Sequence, residues 1–103
     1  MAVAYVQEFE IVTRSTANYD FVAERVQGGE PIEGLILHTA GFDDEGGVFR
    51  IFDIWESREH ADRFLSERIQ PLIDAGPETF PDAGNFTPPT REGFYELHDV
   101  MRP

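Results

Sequence analysis

A chain of 103 residues has the length of a single core, so residues 1–103 are expected to form one domain. Eight basic residues, all arginine, stand against 20 acidic ones for a net charge of −12, which opposes phosphate neutralisation, so neither nucleic acid nor a membrane surface is an expected partner. With no cysteine and no lysine, thiolate catalysis, Cys-ligated zinc, Fe–S clusters, disulfides and Schiff-base chemistry are excluded, and a reducing cytoplasm is the expected setting. The N-terminus lacks a basic-then-apolar signal pattern, and no apolar run reaches membrane-spanning length.

In chain order, Ala2 to Glu10 (AVAYVQEFE) alternates as a strand does. Thr13 or Ser15 then offers a helix cap, and Tyr19, Val22, Ala23 and Val26 recur at i, i+3, i+4 and i+7, which predicts an amphipathic helix of about three turns. Gly28, Gly29 and Pro31 end it. Gly34 to Gly41 (GLILHTAG) and Val48 to Glu56 (VFRIFDIWE), joined by the polar loop Asp43 to Gly47, read as a hairpin. Ser57 is the expected N-cap of a second helix whose apolar stripe is Ala61, Phe64, Leu65, Ile69 and Leu72. Pro71 lies inside that stripe and predicts a kink or a break. Gly76 to Thr90, with four prolines, reads as a long surface loop, and Phe94 to Met101 as a fourth strand.

The order β-α-β-β-α-β is the split βαβ arrangement of a ferredoxin-like α+β domain, an antiparallel four-stranded sheet with both helices on one face. In the third strand Phe49, Ile51, Asp53 and Trp55 share one parity and Val48, Arg50, Phe52 and Ile54 the other, so both faces are mostly apolar. Two helices cover only one face. A second copy of the chain on the other, giving a homodimer through the sheet face, is the economical solution.

Four segments, GLILHTAG (Gly34 to Gly41), RIFDIWESREHADRF (Arg50 to Phe64), ERIQPLI (Glu67 to Ile73) and YELH (Tyr95 to His98), resemble the dimeric α/β-barrel superfamily, which includes the antibiotic biosynthesis monooxygenase-like proteins. The resemblance implies a dimeric α/β barrel and identifies chemistry poorly, because that scaffold hosts cofactor-independent oxygenases, haem-degrading enzymes, decarboxylases and isomerases. In the oxygenase branch an aromatic substrate lies between sheet and helices against Trp and Asn side chains. Trp55 matches the tryptophan. Asn18, on the first helix, and Asn85, in the proline-rich loop, do not match a strand asparagine. In the haem-degrading branch a histidine further along the second helix ligates iron, whereas here His60 lies in its first turn and Phe64, Leu65 and Ile69 follow, so haem is not expected.

His38 and His98, each on an otherwise apolar strand, are the candidate catalytic residues, since an imidazole held neutral by burial takes a proton from a phenol or an acidic C–H. The plainer reading of both is hydrogen bonding within a dimer interface. They belong to the two edge strands and would meet only across a dimer. Tyr19, Phe52 and Trp55 are the candidate substrate-binding residues of a cleft between helices and sheet, with Trp55 as core anchor the competing role. Asp53 beside Trp55 is a candidate acid or base, or else the partner of an arginine. His60 is expected to be exposed. Three histidines 22 and 38 residues apart make no local metal-ligand set. The three serines include two apparent caps and no nucleophile elbow, and GxGxxG is absent, so no cofactor is expected. Three functions follow: a cofactor-independent oxygenase or isomerase-like enzyme acting on a small aromatic or polyketide-like molecule, a non-catalytic small-molecule-binding or structural homodimer, or, on charge alone, a module for a basic partner. A cleft of roughly 300 Å³ or more would favour the readings with a ligand.

Overall fold

VAYVQEFE forms β1 (Val3–Glu10), whose pleat sends Val3, Tyr5, Gln7 and Phe9 to one side of the sheet and Ala4, Val6 and Glu8 to the other. The structure, a computed structural model, describes all of residues 1–103. After β1 come α1 (Ala17–Gln27), β2 (Leu35–Asp43), β3 (Val48–Trp55), α2 (Arg58–Phe64) and β4 (Arg91–Glu96). The sheet order is β2-β3-β1-β4, with every neighbouring pair antiparallel. This is the expected ferredoxin-like α+β fold, with β2 and β4 at the edges. No helix is long and apolar enough to cross a membrane.

The helix termini follow local chemistry, with one difference from expectation. Ser57 caps α2, its hydroxyl accepting the His60 backbone N–H at 3.2 Å. For α1 the N-cap is Thr16, whose hydroxyl donates to the Asp20 carboxylate (2.9 Å) instead of capping the backbone. Ser15 accepts the Ala17 N–H at 3.3 Å.

Pro71 does not break the second helix. The helix continues from α2 through a π-turn (Leu65–Ile69) into α3 (Gln70–Asp74), with Pro71 near the start of α3. A proline has no N–H and crowds the carbonyl four residues earlier. Widening the preceding turn to π spacing resolves both problems without ending the helix.

Tight packing is confined to one end of the layer between helices and sheet. Val3, Tyr5, Trp55 and Ala61 form the buried cluster, with Ile32, Leu35, Phe64, Leu65 and Phe94 against it. Trp55, 1% exposed, is the largest fully buried side chain, and its indole lies 5.2 Å from the Phe64 ring. The segment after α3 adds a second, smaller apolar contact, in which Phe80 packs between Phe21 (5.0 Å) and Phe86 (4.7 Å). Asn18 ties this segment to α1 through two hydrogen bonds with the Asp82 backbone, at 2.9 and 3.0 Å.

The fourth strand is shorter and earlier than Phe94 to Met101. It ends at Glu96, because the last ladder partner on β1 is Val3, and beyond that residue there is no strand to pair with.

Candidate functional site

Adjoining the packed cluster, and sharing Tyr5, Trp55, Phe64 and Leu65 with it, the helices and the sheet enclose a cleft of about 1020 Å³. Its floor is the odd-numbered face of β1 and β3, from Tyr5, Gln7 and Phe9 to Phe49, Ile51, Asp53 and Trp55. Its roof is Tyr19, Val22 and Val26 of α1 with Phe64 and Leu65, and the segment after α3 closes one side with Phe80 and Phe86. The lining is mostly apolar, the setting in which a few polar groups fix a ligand's orientation.

The hairpin brings the principal polar group together. The turn between β2 and β3 is held by the Asp43 carboxylate, which accepts the Gly46 N–H at 2.9 Å, and by Gly47 at a φ of 71°. From that turn the register runs without interruption to His38 opposite Asp53. His38 Nδ1 lies 2.6 Å from Asp53 Oδ1, and Asp53 is 6% exposed. On the other side of the ring, His38 Nε2 lies 2.5 Å from the Tyr19 hydroxyl, with the two rings nearly parallel at 6°. Asp53 only accepts, so Nδ1 carries the proton that it donates to the carboxylate, and Nε2 accepts from Tyr19 in the neutral ring.

The electrostatics follow from that chain of bonds. The hydrogen bond to Asp53 holds the His38 imidazole above its ordinary pKa of 6.5, outweighing the downward push of partial burial. Burial, followed by the negative charges of Asp53 and Asp20, pushes the Tyr19 phenol upward, so it stays protonated at neutral pH. An imidazole with a fixed tautomer, a buried carboxylate behind it and a phenol in front can accept a proton delivered through the phenol oxygen.

A second polar group lies across the floor. The Glu92 carboxylate of β4 accepts from the Tyr5 hydroxyl and from Gln7 Nε2 (2.8 Å). Burial, and then the bond to Glu92, drive the Tyr5 phenol pKa strongly upward. The remaining polar feature is the Trp55 indole N–H, which is buried without a hydrogen-bond partner.

Several expectations about individual residues meet a different geometry. Phe52 is not in the cleft. Its even parity turns it to the opposite sheet face, where it lines a shallow groove of about 270 Å³ with Thr39 and Arg50. His98 is not on a strand and not in an apolar setting, since β4 stops at Glu96 and His98 is exposed. Asp53 does not pair with an arginine. Arg50 points to the other face and pairs with Glu8 (2.7 Å) and Asp43 (3.0 Å). His60 is half-buried, bonded to the Ser57 hydroxyl at 2.7 Å. Asn18 and Asn85 both line the cleft although neither is on a strand. The His38–Asp53 pairing was missed by reasoning from sequence, as were Tyr5, Gln7 and Glu92. The first was within reach of a count back from the hairpin turn. The second needed the β1–β4 register, which no local turn announces.

No family model and no curated protein matches the chain. Among solved structures it is similar to NE2512, a protein of unknown function from Nitrosomonas europaea, at a TM-score of 0.67 and 20% identity over 99% of this chain and 94% of the other. It is also similar to a point mutant of SnoaB, a cofactor-independent oxygenase from Streptomyces nogalater, with a TM-score of 0.63 and 17% identity over 99% and 98% of the two chains. A Chloroflexus aurantiacus protein provisionally named an antibiotic biosynthesis monooxygenase aligns at a TM-score of 0.62 with 14% identity, covering 99% and 98%. The chain has the ferredoxin-like fold of these antibiotic biosynthesis monooxygenase-like structures.

Proposed function

We propose that the chain is a cofactor-independent oxygenase or isomerase-like enzyme for a small aromatic or polyketide-like molecule, with His38 as its base. The observation that carries this reading is the Asp53–His38–Tyr19 chain on the wall of a cleft of about 1020 Å³. The Tyr19 oxygen takes a proton from a phenol or an acidic C–H of the ligand while its own proton passes to His38 Nε2. The imidazolium that forms is stabilised by Asp53. The ligand anion is then reprotonated at another atom, which is isomerisation, or it reacts with dioxygen. In the second case an acidic CH2 plus O2 gives a ketone plus water. The oxygenase named among the similar structures supports this second course.

His38→Phe tests the reading. Turnover of hydroxynaphthalenes and ring ketones with acidic CH2 groups, followed by oxygen uptake and by product analysis, is expected to fall about 10²-fold or more, the usual contribution of a positioned base. Turnover equal to wild type would end the proposal. Turnover by neither protein, together with tight binding of the same molecules by both, would support a binding protein instead.

The same reading includes a homodimer. Val6, Phe52, Ile54, Leu37 and Tyr95 lie on the sheet face away from the helices, with Leu37 46% and Tyr95 52% exposed. This is an apolar face of the kind that a second sheet covers. Sedimentation is expected to give twice the chain mass, and Phe52→Glu to give the monomer. A monomeric wild type would remove the dimer from the proposal.

A further inference from the structure

The bond between Tyr19 and His38 leaves the polarity of the cleft open to reversal. Asp53 accepts the Nδ1 proton at 2.6 Å, so Nε2 is the ring atom that gains or loses a proton in the pH range of a histidine. The Tyr19 oxygen lies 2.5 Å from Nε2, and His38 is the only hydrogen-bond partner of that oxygen. With the imidazole neutral, the phenol donates to Nε2 and turns its lone pairs to its surroundings. Once the imidazole is protonated, Nε2–H donates and the phenol oxygen accepts, so the phenol's own proton has to point elsewhere. Both arrangements need about the same separation of nitrogen and oxygen, and only the O–H bond rotates.

No protein group takes the displaced proton. Tyr19 and His38 both line the cleft, so its acceptor is water or a bound molecule. The charged and titratable groups around the pair come from α1 and the sheet. Asp20 of α1 is one of the charges that keep Tyr19 protonated, and Asp53 of β3 holds Nδ1. Tyr5 stands opposite Asp53 on β1, bonds to Glu92 of β4, and is held protonated by burial first and then by Glu92. Histidine is the one side chain of this set whose ordinary pKa lies near neutrality.

We infer that the Tyr19 hydroxyl is a polarity switch for the cleft, accepting from a hydroxyl of the ligand while His38 is neutral and donating to a carbonyl of the ligand while His38 is protonated. The inference rests on the reading of the cleft as the ligand site and adds to it a selection between hydroxyl and carbonyl compounds. Proton abstraction in the proposed reaction creates the same protonated state, so the outward O–H then meets the ligand anion. When His38 is neutral again, a ketone product faces a lone pair and has no donor, which favours its release.

The test measures binding of benzophenone and of diphenylmethanol to the wild-type protein by NMR shift titration at a series of pH values from 5.5 to 9. The two molecules share their rings and differ by C=O against CH–OH. Neither titrates in this range or has an acidic C–H, so binding alone is read. The ketone only accepts, and it is expected to bind roughly fivefold tighter at pH 5.5 than at pH 9, as the gain of one hydrogen bond allows. The alcohol donates to the phenol oxygen at one end of the range and accepts from it at the other, so its affinity is expected to change by less than about twofold. The midpoint of the ketone's change is expected at the pH where the His38 ring resonances titrate, and Asp53→Asn is expected to move both to lower pH together. A ketone-to-alcohol affinity ratio that is constant across the range, or that changes away from the His38 midpoint, would overturn the inference and leave His38 standing as the proposed base. Binding of neither compound at any pH would overturn the reading of the cleft as the ligand site, and this inference with it. The wild type decides the question even if the variant does not fold.

Discussion

Replacing Asp53 by Asn is expected to lower kcat/KM by about 10²-fold and to move the rising limb of its pH profile to lower pH. In the proposed mechanism neutral His38 is the base, so the rate is expected to rise with pH through the pKa of His38. That pKa is held above 6.5 by Asp53, and the amide removes the charge that holds it there. The stability effect carries its own sign. A histidine whose pKa is higher in the folded protein contributes stability that is fully present below its unfolded value of about 6.5 and is lost as pH rises through the folded value. The difference in stability between wild type and Asp53→Asn is therefore expected to be larger at pH 5.5 than at pH 9. Its size is about 1 kcal/mol, below the usual range for a charged hydrogen bond because the His38 side chain is 40% exposed. Urea denaturation at the two pH values, with histidine resonances followed by NMR, checks both halves. A His38 pKa unchanged by the substitution would refute the role given to Asp53.

Trp55→Ala is expected to produce the largest loss of stability of any single change discussed, about 3–5 kcal/mol. The indole is 1% exposed and belongs to the only tightly packed end of the layer, so its removal opens a cavity beside Val3, Tyr5 and Ala61. Trp55→Phe separates packing from hydrogen bonding. It gives up part of the ring volume, and it also removes a buried donor that has no partner, so the two effects oppose each other and the net change is expected to be about 1 kcal/mol. Thermal denaturation of the two variants gives the two numbers.

The strand and helix pattern was legible because periodicity reports which residues face a core, and the core-facing side here is strongly apolar. The cleft contents were less so, for reasons that differ between residues. Phe52 and Trp55 are three apart on one strand, and a period of two already puts them on opposite faces, so a count of parity alone separates them. His38 and Asp53 are paired by the turn, in which Asp43 faces Val48 and each step outward keeps the same register. Beyond His38 the count fails, because a bulge between Leu35 and Leu37 puts Leu35 and not Ile36 opposite Trp55. Nothing in GLILHTAG announces it. Glu92 joins Tyr5 and Gln7 from 85 or more residues away in the chain. Only the completed sheet brings them together, and no local pattern encodes a pairing of that span.

The segment that closes the cleft after α3 is neither sheet nor helix over most of its length, yet it includes Pro77, Pro81, Pro88 and Pro89 and is fastened to α1 at Asn18. Prolines remove backbone freedom from the unfolded chain, and the Asn18 tether removes it from the folded one. A wall built in this way keeps its shape when nothing is bound. In the proposed function an incoming molecule then has little disorder to quench, and more of its contact energy goes into affinity.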